Sequence, residues 1–170
     1  KETIQAAHEM GLLNLHIPEK YGGPGLGSME DVIVNEELAW GDPGFATAAY
    51  ATALACAPII TGATDEQKDI WLRKVAEEGA LASYAVTEPG AGSDLAACKT
   101  HAARDGDDYV INGAKMWITN GPDADTLIVY MRTAPKDQGS KAMTAFIVSW
   151  ICTPSRSRKI RKRLRPTFVK

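Results

Sequence analysis

Cysteine, histidine and aromatic residues are scarce in these 170 residues, and positive charge is almost confined to one end. Cys56, Cys98 and Cys152 are odd in number and scattered, which argues against a disulfide framework or a zinc site and fits a reducing compartment. They read as packing thiols. His8, His16 and His101 have no nucleophile or ligand spacing around them and read as surface or capping residues, so no metal is expected. No apolar run is read as approaching the roughly eighteen residues that span a bilayer, and the opening Lys1-Glu2-Thr3 resembles neither a signal nor a transit peptide. Eight of the nineteen Lys and Arg, and none of the twenty-one acids, lie in residues 151–170. That segment is therefore +8, and the remainder, with eleven cations against twenty-one acids, is −10.

What is present is a 45% hydrophobic composition, enough for a globular core in one domain or two small ones. Up to Gly79 the apolar spacing is helical. Residues 1–10 read as a helix closed by Gly11. Residues 18–27 form a loop rich in glycine, and Ser28-Met29-Glu30-Asp31 reads as a capping-box variant opening a helix with Val32, Leu38 and Ala39 inward. Asp42 and Pro43 are the N-cap and first position of a helix of small residues, expected to be buried. Thr64-Asp65-Glu66-Gln67 caps another, with Ile70, Trp71, Leu72 and Val75 inward and Gly79 at its end. Glu36 and Glu37 are adjacent on a helix and point about 100° apart, so they do not converge as an acid and base pair.

The period changes at Ala80. Residues 81–86, 99–104, 109–112, 115–119, 126–132 and 143–148 read as strands, with turn signals at Asp105-Gly106-Asp107-Asp108 and Asn112-Gly113. The expected class is α+β: an amino-terminal helical domain (1–79), a small antiparallel β-barrel-like domain (80–148), and a basic tail (149–170) whose clustered charge predicts disorder. A shifted reading frame or aberrant splice is the favoured origin of that tail, over an arm for nucleic acid or anionic membrane; nucleic acid is not expected as a partner.

Two stretches carry the chemistry. Tyr84-Ala85-Val86-Thr87-Glu88-Pro89-Gly90-Ala91-Gly92-Ser93-Asp94 runs from a strand into a loop of small residues that a ligand can approach closely. Lys115-Met116-Trp117-Ile118-Thr119-Asn120-Gly121 offers an aromatic face, a hydroxyl and backbone edges within three residues. On residues alone both read as strand-to-turn corners of an ordinary β domain.

Together these stretches resemble the paired flavin-binding segments of the acyl-CoA dehydrogenase family. Ile17-Pro18-Glu19-Lys20-Tyr21-Gly22-Gly23 and Asn35-Glu36-Glu37-Leu38-Ala39 resemble that family's amino-terminal helical domain. The likeness runs from about Met10 to Val148 and is nearest to medium-chain-like members. It implies FAD-dependent α,β-dehydrogenation of a fatty acyl-CoA in fatty acid β-oxidation, with electrons passed to an electron-transfer flavoprotein, in a homotetramer of the mitochondrial matrix or the bacterial cytoplasm. Carried over by motif, Tyr84, Val86 and Thr87 lie along the isoalloxazine, Gly92 and Ser93 meet cofactor phosphate and acyl-CoA, Trp117 packs on the ring, Ile118 stands behind it and Thr119 reaches N5. The family's catalytic base is a Glu of a carboxy-terminal helical bundle. No residue here matches it, so the chain is expected to be truncated and inactive as it stands, with no catalytic residue of its own. Glu88 would need a raised pKa and a path to substrate to serve instead. An acyl-CoA oxidase-like flavoenzyme and a non-catalytic binding protein are the alternatives.

Overall fold

The computed structural model describes residues 2–149, 160–164 and 167–169. The chain divides into two compact units, Lys1–Ala82 and Ser83–Lys170.

The first unit is helical: α1 (Glu2–Glu9), α2 (Ser28–Gly41), α3 (Pro43–Gly62) and α4 (Asp65–Glu78), with a single 3-10 turn at Glu19–Tyr21 before α2. Local chemistry sets the ends. Asp42 Oδ1 accepts the Gly44 and Phe45 N–H groups at 2.8 and 2.9 Å. Thr64 and Gln67 form a reciprocal capping box, and Gly79 ends α4 in the left-handed region at φ +66°. α2 departs from expectation at its start, where Gly27 is the N-cap in extended backbone, so the Ser28 hydroxyl caps nothing. Its inward stripe is also absent: α2 has no buried residue, and Val32 is 60% exposed. Ile70 on α4 is likewise exposed, whereas Leu72 and Val75 are buried.

α3 corrects another expectation. It is 20 residues long and, by length and composition, apolar enough to cross a membrane. Its nine buried residues include Ala46, Ala49, Ala53 and Cys56, the small side chains that allow helices to approach closely, so it is placed as a core helix. Burial pushes the Cys56 thiol up to about 12.

The second unit is a curled, half-barrel-like sheet. Its described strands are β1 (Ala82–Ala85), β2 (His101–Asp105), β3 (Asp108–Gly113), β4 (Thr126–Arg132), β5 (Met143–Ser149), β6 (Ile160–Leu164) and β7 (Thr167–Val169), in the order β6-β3-β2-β4-β5-β7 with β1 on β4. It is antiparallel only in part, because β2 and β4 pair in parallel at His101 and Arg132. The Asp105–Asp108 turn joins β2 to β3 as a hairpin. Asn112-Gly113 makes no second hairpin: β3 ends at Gly113, and residues 114–118 have no regular secondary structure where a strand was expected. Two pieces of the basic tail are also strands, β6 on β3 and β7 on β5, where disorder was expected; backbone pairing along a sheet edge is available to any residue type. Residues 150–159, with Cys152, lie outside the described residues.

Alternation along β4 and β5 brings Leu127, Val129, Met131, Phe146 and Val148 into one core with Ala85, Ala102 and Ile111. Tyr109 sets its ring edge-on against Phe146, with centroids 5.4 Å apart. Ile118 packs against this core from the irregular segment, which fixes where that segment can lie.

Candidate functional site

The two motif stretches pass one another antiparallel, without forming a ladder. The Ser83 hydroxyl donates to the Thr119 carbonyl at 2.8 Å, and the Met116 N–H donates to the Thr87 carbonyl at 2.9 Å. Lys115 Nζ donates to the Val86 carbonyl at 2.7 Å and to Glu88 Oε1 at 2.9 Å. Val86, Thr87, Trp117, Ile118 and Thr119 therefore fall along one seam. Tyr84, on β1, faces Tyr130 of β4 edge-on at 5.4 Å. Burial, reinforced by the Tyr130 hydroxyl's hydrogen bond with Tyr84 in its neutral form, pushes the Tyr130 hydroxyl upward.

At the end of the seam the Glu88 and Lys115 side chains are 6% and 4% exposed. Glu88 also accepts the Lys99 N–H at 2.7 Å and the Thr100 N–H at 3.0 Å. Burial alone would raise this carboxyl. The neighbouring Thr100 hydroxyl, the Lys99 N–H, the Lys115 ammonium and the Thr100 N–H outweigh it and hold Glu88 down at about 2. A carboxylate so held cannot collect a proton near neutral pH, so Glu88 is not a general base. Its folded pKa lies below the ordinary 4.5, so the stability it contributes is complete above about pH 5 and is lost as pH falls toward 2. We expect about 3 kcal/mol to disappear over that window. Urea unfolding at pH 7, 4 and 3 reads it directly, and Glu88→Gln should flatten this part of the slope.

Trp117 and Ile118 diverge. Ile118 turns into the core while Trp117 is 84% exposed at φ +59°, in the left-handed region that a bulky side chain rarely adopts. Asn120 takes φ +58° three residues on. These two residues break the strand that β-branched Ile118 and Thr119 suggest. Beside Trp117 lies a hollow of about 350 Å³ lined by Pro89, Ala114, Lys115, Met116 and Trp117. Thr119 is exposed and Thr87 half-buried at the same seam.

Gly92 and Ser93 are exposed on the next loop, which begins with a tight turn closed by paired Glu88 and Ala91 backbone bonds. Nothing would lie within 4 Å of a Cβ at Gly92, so its backbone faces open space. Arg132, at the end of β4, holds the far side of this loop by donating to the Ala96 and Cys98 carbonyls at 2.7 and 3.3 Å. Lys115, Ser83 and Arg132 are thus the positioning residues that sequence reasoning missed. Each acts on a carbonyl or carboxylate between 27 and 36 positions away, and no local periodicity reports such a partner.

Residues 1–79 match the acyl-CoA dehydrogenase N-terminal domain, and residues 83–164 match the acyl-CoA dehydrogenase middle domain. The second match covers β6, in the stretch expected to be foreign to the family. Among curated relatives, the chain is 45% identical over 149 residues to "Probable medium-chain specific acyl-CoA dehydrogenase 2, mitochondrial" of Caenorhabditis briggsae, covering 86% of this chain and 36% of that one. Among solved structures it resembles butyryl-CoA dehydrogenase from Megasphaera elsdenii, with TM-score 0.82 and 31% identity over 99% of this chain and 47% of that one. It also resembles a glutaryl-CoA dehydrogenase from Mycobacterium smegmatis in complex with FADH2, with TM-score 0.80 and 33% identity over 92% of this chain and 39% of that one. The chain therefore spans between 36% and 47% of the length of these relatives. Helices followed by a curled mixed sheet, with the motif stretches joined along one seam and both units matched in order, lead to one assignment: the chain belongs to the acyl-CoA dehydrogenase family, carrying its N-terminal and middle domains.

Proposed function

We propose that the seam is one wall of a flavin site, and that the protein takes part in FAD-dependent α,β-dehydrogenation of fatty acyl-CoA thioesters. The observation that carries this reading is Trp117: a large flat side chain left in solvent, in a strained backbone conformation, on a segment otherwise tied down at both ends. Strain of this kind persists where surrounding structure enforces it and is characteristic of ligand contacts. The residues present fit the cofactor: a bare aromatic face, a hollow beside it, hydroxyls at Thr87 and Thr119, and an open glycine loop at Gly92 and Ser93.

FAD, when bound, supplies the hydride acceptor for the acyl β-carbon. This chain's own residues hold and polarise it. Tyr84, Val86 and Thr87 would border the isoalloxazine, and the Thr87 hydroxyl would offer its pyrimidine edge a donor where negative charge develops. Trp117 would pack on the ring, Ile118 would stand behind it, and Thr119 would supply a donor toward N5. Gly92 and Ser93 supply N–H and hydroxyl donors to the phosphates, and Ser93 also to the acyl-CoA. Glu88 takes no part in proton transfer. Electron-transfer flavoprotein is the proposed acceptor, a homotetramer the proposed assembly, and the mitochondrial matrix or the bacterial cytoplasm the proposed setting.

Two measurements test this. Residues 1–170 titrated with FAD should quench flavin fluorescence, yet octanoyl-CoA should not bleach the bound flavin, because Glu88 is unavailable as base; rapid bleaching would overturn that. Trp117→Gly should weaken FAD binding by about ten-fold, roughly 1.4 kcal/mol, through loss of the stacking face. The same substitution relieves a left-handed backbone, so its urea midpoint should be no lower than that of the parent. Unchanged affinity would remove Trp117 from the site.

A further inference from the structure

Building on the flavin reading above, we infer that Glu88 and Lys115 form a positioning clamp, which sets the register in which residues 83–87 pass residues 115–119 and so keeps Trp117 presented. Residues 114–119 have no ladder to hold them. Their register depends on the Met116 N–H to Thr87, the Ser83 hydroxyl to Thr119, the packing of Ile118, and the two bonds of the Lys115 ammonium. Of these four, Lys115 grips two points at once, the Val86 carbonyl and the Glu88 carboxylate.

Glu88 is in turn fixed from the other side. Its two oxygens take the N–H groups of Lys99 and Thr100, and the Thr100 carbonyl accepts the Arg132 N–H at 2.9 Å, so the anchor reaches β4. The clamp thus transfers the position of the sheet to an irregular segment. A bulky residue in the left-handed region relaxes unless its neighbours are held. Lys115, two positions before Trp117, and Ile118, one after it, are those neighbours. Lys115 also lines the hollow beside Trp117, so a shift of its stem would change the wall itself. A pair serving only as core filling would stabilise the whole sheet evenly; a clamp protects one seam, and local opening distinguishes the two.

The test is amide hydrogen exchange on residues 1–170, comparing the parent with Lys115→Met and with Glu88→Gln/Lys115→Met, the second of which leaves no uncompensated buried charge. In the double variant the Met116 amide should lose at least ten-fold more protection than the amides of the β4–β5 ladder, which report whatever destabilisation remains in the whole unit. Lys115→Arg, which keeps the charge, should restore most of the Met116 protection. FAD affinity, read by flavin fluorescence, should fall at least ten-fold in the double variant. Met116 protection equal to the parent's, or a loss spread equally over the β4–β5 amides, overturns the clamp. Faster Met116 exchange with unchanged FAD affinity overturns its role toward the flavin. A parent chain that takes up no FAD sinks the flavin reading alone, because Met116 exchange still decides the clamp.

Discussion

Lys115→Met is expected to lower the stability of the β unit by about 3–5 kcal/mol, read as a fall in urea midpoint at pH 7. The expectation follows from where the two charges sit. At 4% and 6% side-chain exposure neither is shared with water, so removing the ammonium leaves Glu88 buried as an anion with no opposite charge beside it, only the Lys99 and Thr100 N–H groups and the neighbouring Thr100 hydroxyl. The Val86 carbonyl also loses its ammonium donor and keeps only the weak Cys98 thiol at 3.7 Å. Adding Glu88→Gln to this background should recover part of the loss, since neutralising both members costs less than stranding one. Lys20 and Asp65 give the contrast within the same chain. Their nitrogen and oxygen are 3.4 Å apart, but the side chains are 62% and 80% exposed, and Asp65→Asn should hardly move the midpoint. Equal effects at the two sites would mean that the Glu88 and Lys115 pair is not desolvated as the structure has it.

How much of this was legible in the sequence depends on the reach of each interaction. Local devices were readable: the Asp42 cap, the Thr64 capping box, Gly79 and the Asp105–Asp108 turn each involve residues within four positions of one another. The errors have identifiable causes. Ser28 was expected to cap α2, but the chain enters that helix one residue earlier through Gly27. Val32 has the spacing of an inward residue, yet α2 buries none of its side chains, and periodicity cannot say whether a stripe finds a partner. The stretch 115–119 has strand composition, but Trp117 and Asn120 leave the β region, and bonds to residues 83–88 replace a ladder. The motif residues could be named from the sequence. The device that brings them together could not, because Glu88 and Lys115 are 27 positions apart and carry the two commonest kinds of surface charge.

The last expectation concerns the hinge between β3 and that irregular segment. Gly113→Ala should destabilise the second unit by about 3–5 kcal/mol, combining overpacking with backbone strain. Gly113 closes β3 at φ +154°, a conformation that side-chain-bearing residues rarely adopt. A Cβ there would lie 2.3 Å from Thr100 Oγ1 and 2.6 Å from both the Cα and Cβ of Thr100. Thr100 has no freedom to retreat: its N–H is held by Glu88, and its carbonyl by the Arg132 N–H. Any accommodation must therefore move Glu88, and with it the grip on Lys115, two residues beyond the substituted position. Gly106→Ala, in the β2–β3 turn at φ +64° with open space around its Cβ, isolates the backbone component and should cost only about 1 kcal/mol. Adding Thr100→Ala to Gly113→Ala should recover little, since two of the three overlaps are with atoms that alanine retains. Full recovery in that double variant would show that the hydroxyl alone was the obstacle, and that the backbone of Thr100 can yield without disturbing Glu88.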